Sequence, residues 1–132
     1  MTVLSNTEYA SVHLKAVKGD TIDIHFHVNY ELTATGKKFY ISLNADPENG
    51  SAYTLGTISM QVRRKDSLLL KDWISGVSPS DIVVSGNEFH LYDADGFLES
   101  GLFDYDIEEF DAVSGFKCIA KGMFGVQKEI TI

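Results

Sequence analysis

The stretch that decides the fold is Thr21-Ile22-Asp23-Ile24-His25-Phe26-His27-Val28. Apolar and polar residues alternate along its whole length, and successive side chains of an extended strand point to opposite faces of a sheet. The stretch therefore predicts a half-buried β-strand with Ile22, Ile24, Phe26 and Val28 directed inward.

The same alternation recurs along the rest of the chain, in short runs separated by turn-forming residues. No run keeps apolar residues at a spacing of three and four over ten or more positions, so no long helix is expected. The last two runs, Phe116 to Ala120 and Met123 to Ile132, are expected to form a hairpin that turns near Gly122 or Gly125. The pattern predicts an all-β fold, an antiparallel β-sandwich of roughly eight or nine strands.

Length and composition favour a single domain with its own core over residues 1–132. The chain has 132 residues, of which 44% are hydrophobic, and this is enough to bury a core without metals or cross-links. Residues 1–9 are rich in Thr, Ser and Asn and are expected to form a flexible N-terminal arm. The net charge of −8 disfavours binding to nucleic acids and to anionic membranes, both of which require Lys and Arg.

Cysteine content and the N-terminal sequence predict a reducing compartment. Cys118 is the only cysteine, so the chain cannot form an internal disulfide. Met1 to Val12 lacks the basic and apolar regions of a secretory signal. We therefore expect the protein to be made and retained in the cytosol, or to leave it only by lysis.

Two groups of residues are candidates for metal binding. His25 and His27 lie two apart on one strand face, together with Asp23, and imidazoles with a carboxylate are zinc ligands. Asp93 and Asp95 precede Gly96 like the opening of a calcium loop, but no third Asp or Asn precedes the glycine. A solvated or partner-facing strand and a polar turn, respectively, explain these residues more simply, so we expect no metal and no cofactor.

No catalytic arrangement is evident either. The densest acidic run is at residues 104–111, where Asp104, Asp106 and Glu108 share one strand face; a pair of catalytic carboxylates would need a cleft. There is no nucleophile elbow and no phosphate-binding glycine loop. We expect an exposed acidic face that is able to dock a basic partner, and a protein that is not an enzyme.

The order of the segments resembles a module of tailed-bacteriophage structural proteins, found for example at the N-terminus of baseplate upper proteins. The resemblance covers the chain from about Val17 onward, and its specificity lies in the series of motifs. The matching residues are Gly19-Asp20-Thr21, Met60-Gln61-Val62-Arg63 with Lys65-Asp66, Gly101-Leu102-Phe103-Asp104-Tyr105-Asp106-Ile107, Gly122-Met123-Phe124-Gly125-Val126 and Ile130-Thr131.

Two departures from the module are visible. The span from Glu31 to Thr57 is longer than the usual connection, with an added strand and a turn-rich loop at Asp46 to Ser51. Family members often continue into a fibre or receptor-binding part, and no such part is expected here after Ile132.

The resemblance implies an immunoglobulin-like sandwich that attaches one part of a virion to another. We therefore expect a non-catalytic virion protein, assembled in the host cytoplasm, that acts as an adaptor or decorating subunit at the tail, baseplate or head surface. Its partners would be other virion proteins, in multiple symmetric copies. The candidate contact segments are residues 1–9, the loop at Asp46 to Ser51 and the C-terminal segment Gln127 to Ile132.

The main alternative is a carbohydrate- or receptor-binding sandwich. Such a module requires an exposed aromatic platform. The residues available for one are Tyr30, Tyr40, Tyr53, Trp73 and Tyr92.

Overall fold

The computed structural model describes residues 2–5, 10–33, 36–43, 54–77, 80–113 and 115–128. These residues form strands and turns, and no helix. The eleven strands among them are β1 (Thr2–Ser5), β2 (Ala10–Ser11), β3 (Leu14–Val17), β4 (Ile22–Thr33), β5 (Gly36–Leu43), β6 (Thr57–Arg63), β7 (Leu69–Ile74), β8 (Ile82–Ser85), β9 (Glu88–Asp93), β10 (Gly101–Asp111) and β11 (Gly115–Gln127).

The strands form two sheets that pack face to face. The first sheet has the order β1-β5-β4-β9-β8 and is antiparallel throughout. The second sheet has the order β2-β11-β10-β6-β7, and β3 also pairs with β11. Both β2 and β3 run parallel to β11, whereas the other pairs of this sheet are antiparallel. The prediction of an all-β sandwich is confirmed.

The strand order is that of an immunoglobulin-like sandwich. In that fold strands G, F, C and C′ can share one sheet, and B, E and D lie together in the other. Here β11, β10, β6 and β7 occupy the first set of positions, and β4, β9 and β8 occupy the second. The place beside strand B is taken by β5, which is the strand expected within the long connection from Glu31 to Thr57.

Two sequence-based expectations need correction. Four residues of the expected flexible arm, Thr2–Ser5, form the edge strand β1, because their backbones pair with residues 38–41 of β5. The hairpin expected near Gly122 is also wrong, because β11 continues through that position and the turn lies between Asp111 and Gly115. Gly122 serves a different purpose: a Cβ there would overlap the carbonyl oxygen of Val12, so the glycine allows the N-terminal segment to cross closely.

Alternating residues of the two sheets fill the core between them. Phe26 and Phe89 stack within the first sheet with ring centroids 4.6 Å apart. Phe97, from the connection between β9 and β10, is 1% exposed and packs against the rings of Trp73 and Phe124. Burial of such aromatic side chains is a main stabilising contribution, and truncating one to alanine typically costs about 3–5 kcal/mol.

A buried carboxylate links the two sheets. Asp93, at the end of β9, accepts hydrogen bonds from Trp73 Nε1 at 2.9 Å and from Lys71 Nζ at 2.8 Å, and both of these residues lie on β7. The other carboxylate oxygen accepts the backbone N–H of Asp95 at 3.0 Å. One side chain therefore connects the first sheet to an outer strand of the second and also shapes the turn that follows β9.

That turn depends on Gly96. Gly96 has a φ of +65°, and a Cβ there would overlap the backbone carbonyl oxygen of Asp20. Gly96→Ala is expected to lower the free energy of unfolding by at least about 2 kcal/mol, because backbone strain and a steric clash act together. Urea unfolding of the purified protein measures the change.

The matched control is Gly86→Ala. Gly86 has a similar φ of +62°, but nothing lies within 4 Å of the added methyl group. This variant should lose only the strain contribution of about 1 kcal/mol. Equal losses for the two variants would show that the contact between Gly96 and Asp20 is unimportant.

Candidate functional site

The outer face of the second sheet carries the acidic residues that the sequence placed on one face. Asp104, Asp106 and Glu108 point away from the core, while Phe103, Tyr105 and Ile107 of the same strand point into it. Basic and polar groups surround them. Lys65 Nζ lies 2.6 Å from Asp104 Oδ1, and Lys121 lies opposite Asp106 on β11. The face is therefore a mixed surface, in which opposite charges reduce the repulsion between carboxylates.

An open groove of about 430 Å³ runs across this charged centre. Its lining includes Arg63, Asp104, Asp106, Lys121, Ser11 and Met123. The groove contains positively charged hydrogen-bond donors and negatively charged acceptors. This composition is suited to polar contacts with another protein surface.

Glu109, the fourth member of the acidic run, does not belong to this face. It is fully buried, accepts a hydrogen bond from the backbone N–H of Gly56 at 2.8 Å, and forms an ion pair with Lys117 at 3.4 Å. Alternation places residue 109 on the core side of β10, and the buried carboxylate holds the segment that leads into β6. Its role is structural, which the density of acidic residues in the sequence did not indicate.

Beyond the charged centre, the β10–β11 hairpin ends in an apolar tip, defined as Phe110, Val113 and Phe116. Phe110 and Phe116 face each other across the hairpin with ring centroids 4.7 Å apart. Val113 is 95% exposed and Phe116 is 72% exposed. The exposed Ile74 lies near this end, because Ser59 pairs with Ile74 on one side and with Glu108 on the other. Exposed apolar side chains grouped in this way are one of the features by which protein-interaction surfaces are recognised.

The outer face of the first sheet carries a histidine cluster, defined as Asp23, His25 and His90. The register pairs His25 directly with His90, and the two rings stack with centroids 3.9 Å apart. Asp23 Oδ1 lies 2.5 Å from His90 Nε2 and 3.7 Å from His25 Nε2. One ligand atom from each residue lies within 4.8 Å of the other two.

His27, which the sequence grouped with His25, is placed differently. It is 3% exposed and lies beside Glu88 and Asn87, with Nδ1 3.8 Å from Glu88 Oε2. The histidine that joins His25 is instead His90 of the neighbouring strand. The alternating pattern of each strand is visible in the sequence. Only the register in which β4 pairs with β9 shows which histidines lie next to each other.

Asp93 and Asp95 do not form the calcium loop that was weighed for them. Both oxygens of Asp93 are occupied, by Lys71 and Trp73 on one side and by the backbone of Asp95 on the other. The Asp95 side chain is exposed. Asp93 is thus committed to contacts within the fold, and Asp95 lies in the turn that follows β9.

Of the five aromatic residues that are candidates for a carbohydrate-binding platform, the structure describes the side chains of Trp73 and Tyr92. Trp73 is 4% exposed and donates its indole N–H to Asp93, so it is not available to a ligand. Tyr92 is exposed beside His90. The side chains of Tyr30 and Tyr40, and all of Tyr53, lie outside the described part of the structure, as does the loop at Asp46 to Ser51.

Cys118 is half-buried on β11. Burial and the nearby Asp106 raise the pKa of its thiol, and the sulfur donates a hydrogen bond to the carbonyl of Ala120. The thiol therefore stays protonated near neutral pH, which favours a packing role over a reactive one.

No protein-family model and no curated protein matches this chain. Within the described ranges, no helix is long and apolar enough to cross a membrane.

The pKa of the Asp93 carboxyl lies below its ordinary value of 3.8. Burial raises this pKa, but the hydrogen bonds from Lys71, Trp73 and Asp95 and the Lys71 charge together lower it by more. Because the folded state favours the ionised form, the stabilisation is complete above the ordinary pKa and is lost as the pH falls through the folded-state pKa.

Asp93→Asn should therefore lower the free energy of unfolding by about 3 kcal/mol at pH 7, because it leaves Lys71 without its buried partner. The difference from the wild type should be smaller at pH 2.5 than at pH 7, because the contribution of the ionised carboxyl declines once the pH falls below its ordinary pKa of 3.8. Urea unfolding at both pH values measures this, with the exposed Asp95→Asn as the control. A difference that does not depend on pH would contradict the assigned role of the charge.

Proposed function

We propose that this protein is a non-catalytic structural subunit of a tailed-bacteriophage particle, an adaptor or decorating subunit at the tail, baseplate or head surface. It acts by docking to other virion proteins in multiple symmetric copies. The exposed apolar tip is the observation that supports docking to another protein. The series of motifs that resembles the phage module suggests that this partner is part of a virion.

The apolar tip has the composition of the centre of a protein interface. Aromatic side chains are enriched at such centres, where they contribute most of the binding energy when a partner excludes water from them. Phe116 and Val113 gain little from their present environment, since both are largely exposed. A partner that covers them removes apolar surface from water, at about 25 cal/mol for each Å².

Charge complements the apolar contact. The outer-facing carboxylates of β10 lie next to the tip, just before Phe110 on the same strand. The net charge of the whole chain is −8. A partner with a basic rim around an apolar pocket would fit both features, since electrostatic complementarity speeds encounter and fixes register.

In the part of the chain that the structure describes, two sheet edges are candidates for further docking. β7 and β8 are at the ends of their sheets, and their exposed apolar residues include Leu69, Ile74 and Val83. Unpaired backbone groups at such edges accept an added strand from a neighbouring chain. The C-terminal segment, of which residues 129–132 lie outside the described part, remains our candidate for a strand that adds to a neighbour.

Mass spectrometry of purified, salt-washed phage particles from the source tests the setting. We expect this chain at a fixed stoichiometry to the major capsid protein. Hundreds of copies would indicate head decoration, and about a dozen would indicate a ring in the tail or baseplate. Absence of the chain from washed particles would contradict the proposal.

Replacement of exposed residues at the apolar tip tests the docking surface. Phe116→Ser combined with Val113→Ser should reduce incorporation into particles at least tenfold, because the partner loses its apolar contact. Stability should change by less than about 1 kcal/mol, since both side chains are exposed. Incorporation is measured by complementing a phage that lacks the wild-type gene.

The matched control is Leu98→Ser, which removes a comparably exposed apolar side chain from the connection between β9 and β10. Incorporation of this variant should stay within twofold of the wild type. If the tip double variant also incorporates normally, the apolar tip is not the docking surface.

A further inference from the structure

We propose that Asp23, His25 and His90 form a binding site for a divalent transition-metal ion of the zinc class. The site lies on the outer face of the first sheet, whereas the apolar tip extends from the second sheet. It is therefore independent of the proposed docking function.

Strand pairing makes the cluster a consequence of the fold. His25 and His90 are direct partners across β4 and β9, and Asp23 lies two residues before His25 on the same face of β4. Directly opposed residues in an antiparallel pair have Cβ atoms about 4.5–5.5 Å apart, and diagonal neighbours remain within reach of long side chains. Three potential ligands therefore project from a rigid sheet toward one point.

The distances match what a small metal ion requires. Zinc lies about 2.0–2.1 Å from imidazole nitrogen and about 2.0–2.2 Å from carboxylate oxygen, so tetrahedral ligands are separated by about 3.4 Å. In this cluster the two nitrogen-to-oxygen distances are 2.5 Å and 3.7 Å, which bracket that value. The side chains are 35–52% exposed, so small rotations are free to adjust both distances.

The arrangement also favours a metal over hydrogen bonding alone. Both imidazoles direct Nε2 toward the same carboxylate oxygen of Asp23. A metal ion placed between these atoms would bind both nitrogens and the oxygen together. Each of the three side chains would then have a bond of its own, whereas His25 Nε2 now lies beyond hydrogen-bond distance of the Asp23 oxygen.

The ligand set selects the class of ion. Two imidazoles with one carboxylate suit Zn²⁺, Cu²⁺ and Ni²⁺, whereas Ca²⁺ and Mg²⁺ prefer oxygen ligands alone. Three protein ligands leave at least one coordination position for water or for a group from another molecule. The site is accessible from solvent, so an ion can enter without movement of the backbone.

Isothermal titration of the tag-free full chain with ZnCl₂ at pH 7.4 tests the site. We expect one Zn²⁺ per chain, and we expect His25→Gln and His90→Gln each to weaken binding at least tenfold. His13→Gln is the control: His13 is exposed, but its Nδ1 accepts the backbone N–H of Met123. This variant should bind within twofold of the wild type.

Absence of stoichiometric binding by the wild type would overturn the proposal. A loss in the His13 variant as large as that in the His25 and His90 variants would also overturn it. Urea unfolding without metal checks that all three variants are folded, and their exposed positions predict changes below about 1 kcal/mol.

Cu²⁺ as a probe gives a second readout that does not depend on affinity. The electron paramagnetic resonance spectrum of the wild-type complex should show coupling to two imidazole nitrogens, and that of His90→Gln should show coupling to one. Identical spectra for the two proteins would place the ion elsewhere and overturn the assignment.

Discussion

The carboxylate of Asp93 is the interaction on which the rest of the structure depends. It lies at the end of β9 in the first sheet and accepts hydrogen bonds from Trp73 and Lys71 on β7 of the second. A buried charge is costly unless it is paired and hydrogen-bonded, and here both oxygens are satisfied. The same side chain shapes the turn that carries Phe97 into the core. One residue therefore fixes the spacing of the sheets and the path of the chain between them.

With the sheets held in this way, alternation divides each strand between core and surface. On β10 the inward residues fill the core, and the outward residues form the charged groove and lead to the apolar tip. On β4 and β9 the outward positions form the histidine cluster. The interior thus stabilises the domain, while the two outer faces carry different chemistry: a charged groove and an apolar tip on one, and a histidine cluster on the other.

Buried acidic residues that stabilise the fold are easily mistaken for ligand-binding residues when only the sequence is read. Asp93 looks like part of a calcium loop in the sequence, and Glu109 looks like part of an exposed acidic run. In the structure both are buried and paired with lysines, Lys71 and Lys117. A carboxylate that already holds a lysine and a backbone N–H has little capacity for a ligand, so these residues stabilise the fold. The density of acidic residues in a sequence does not distinguish a ligand-binding carboxylate from a structural one, because the distinction depends on whether the side chain is buried and paired.

The sequence by itself determined the all-β class, the inward residues of β4, the outward acidic face of β10 and the extra strand β5, because a period of two is a local property that each strand carries in its own residues. It did not determine the course of β11, the edge strand β1 or the partner of His25. Those depend on which strands pair and in what register, and register is set by packing between segments that are distant in the chain. His25 and His90 lie 65 positions apart (90 − 25) in a chain of 132 residues, so only the tertiary structure brings them together.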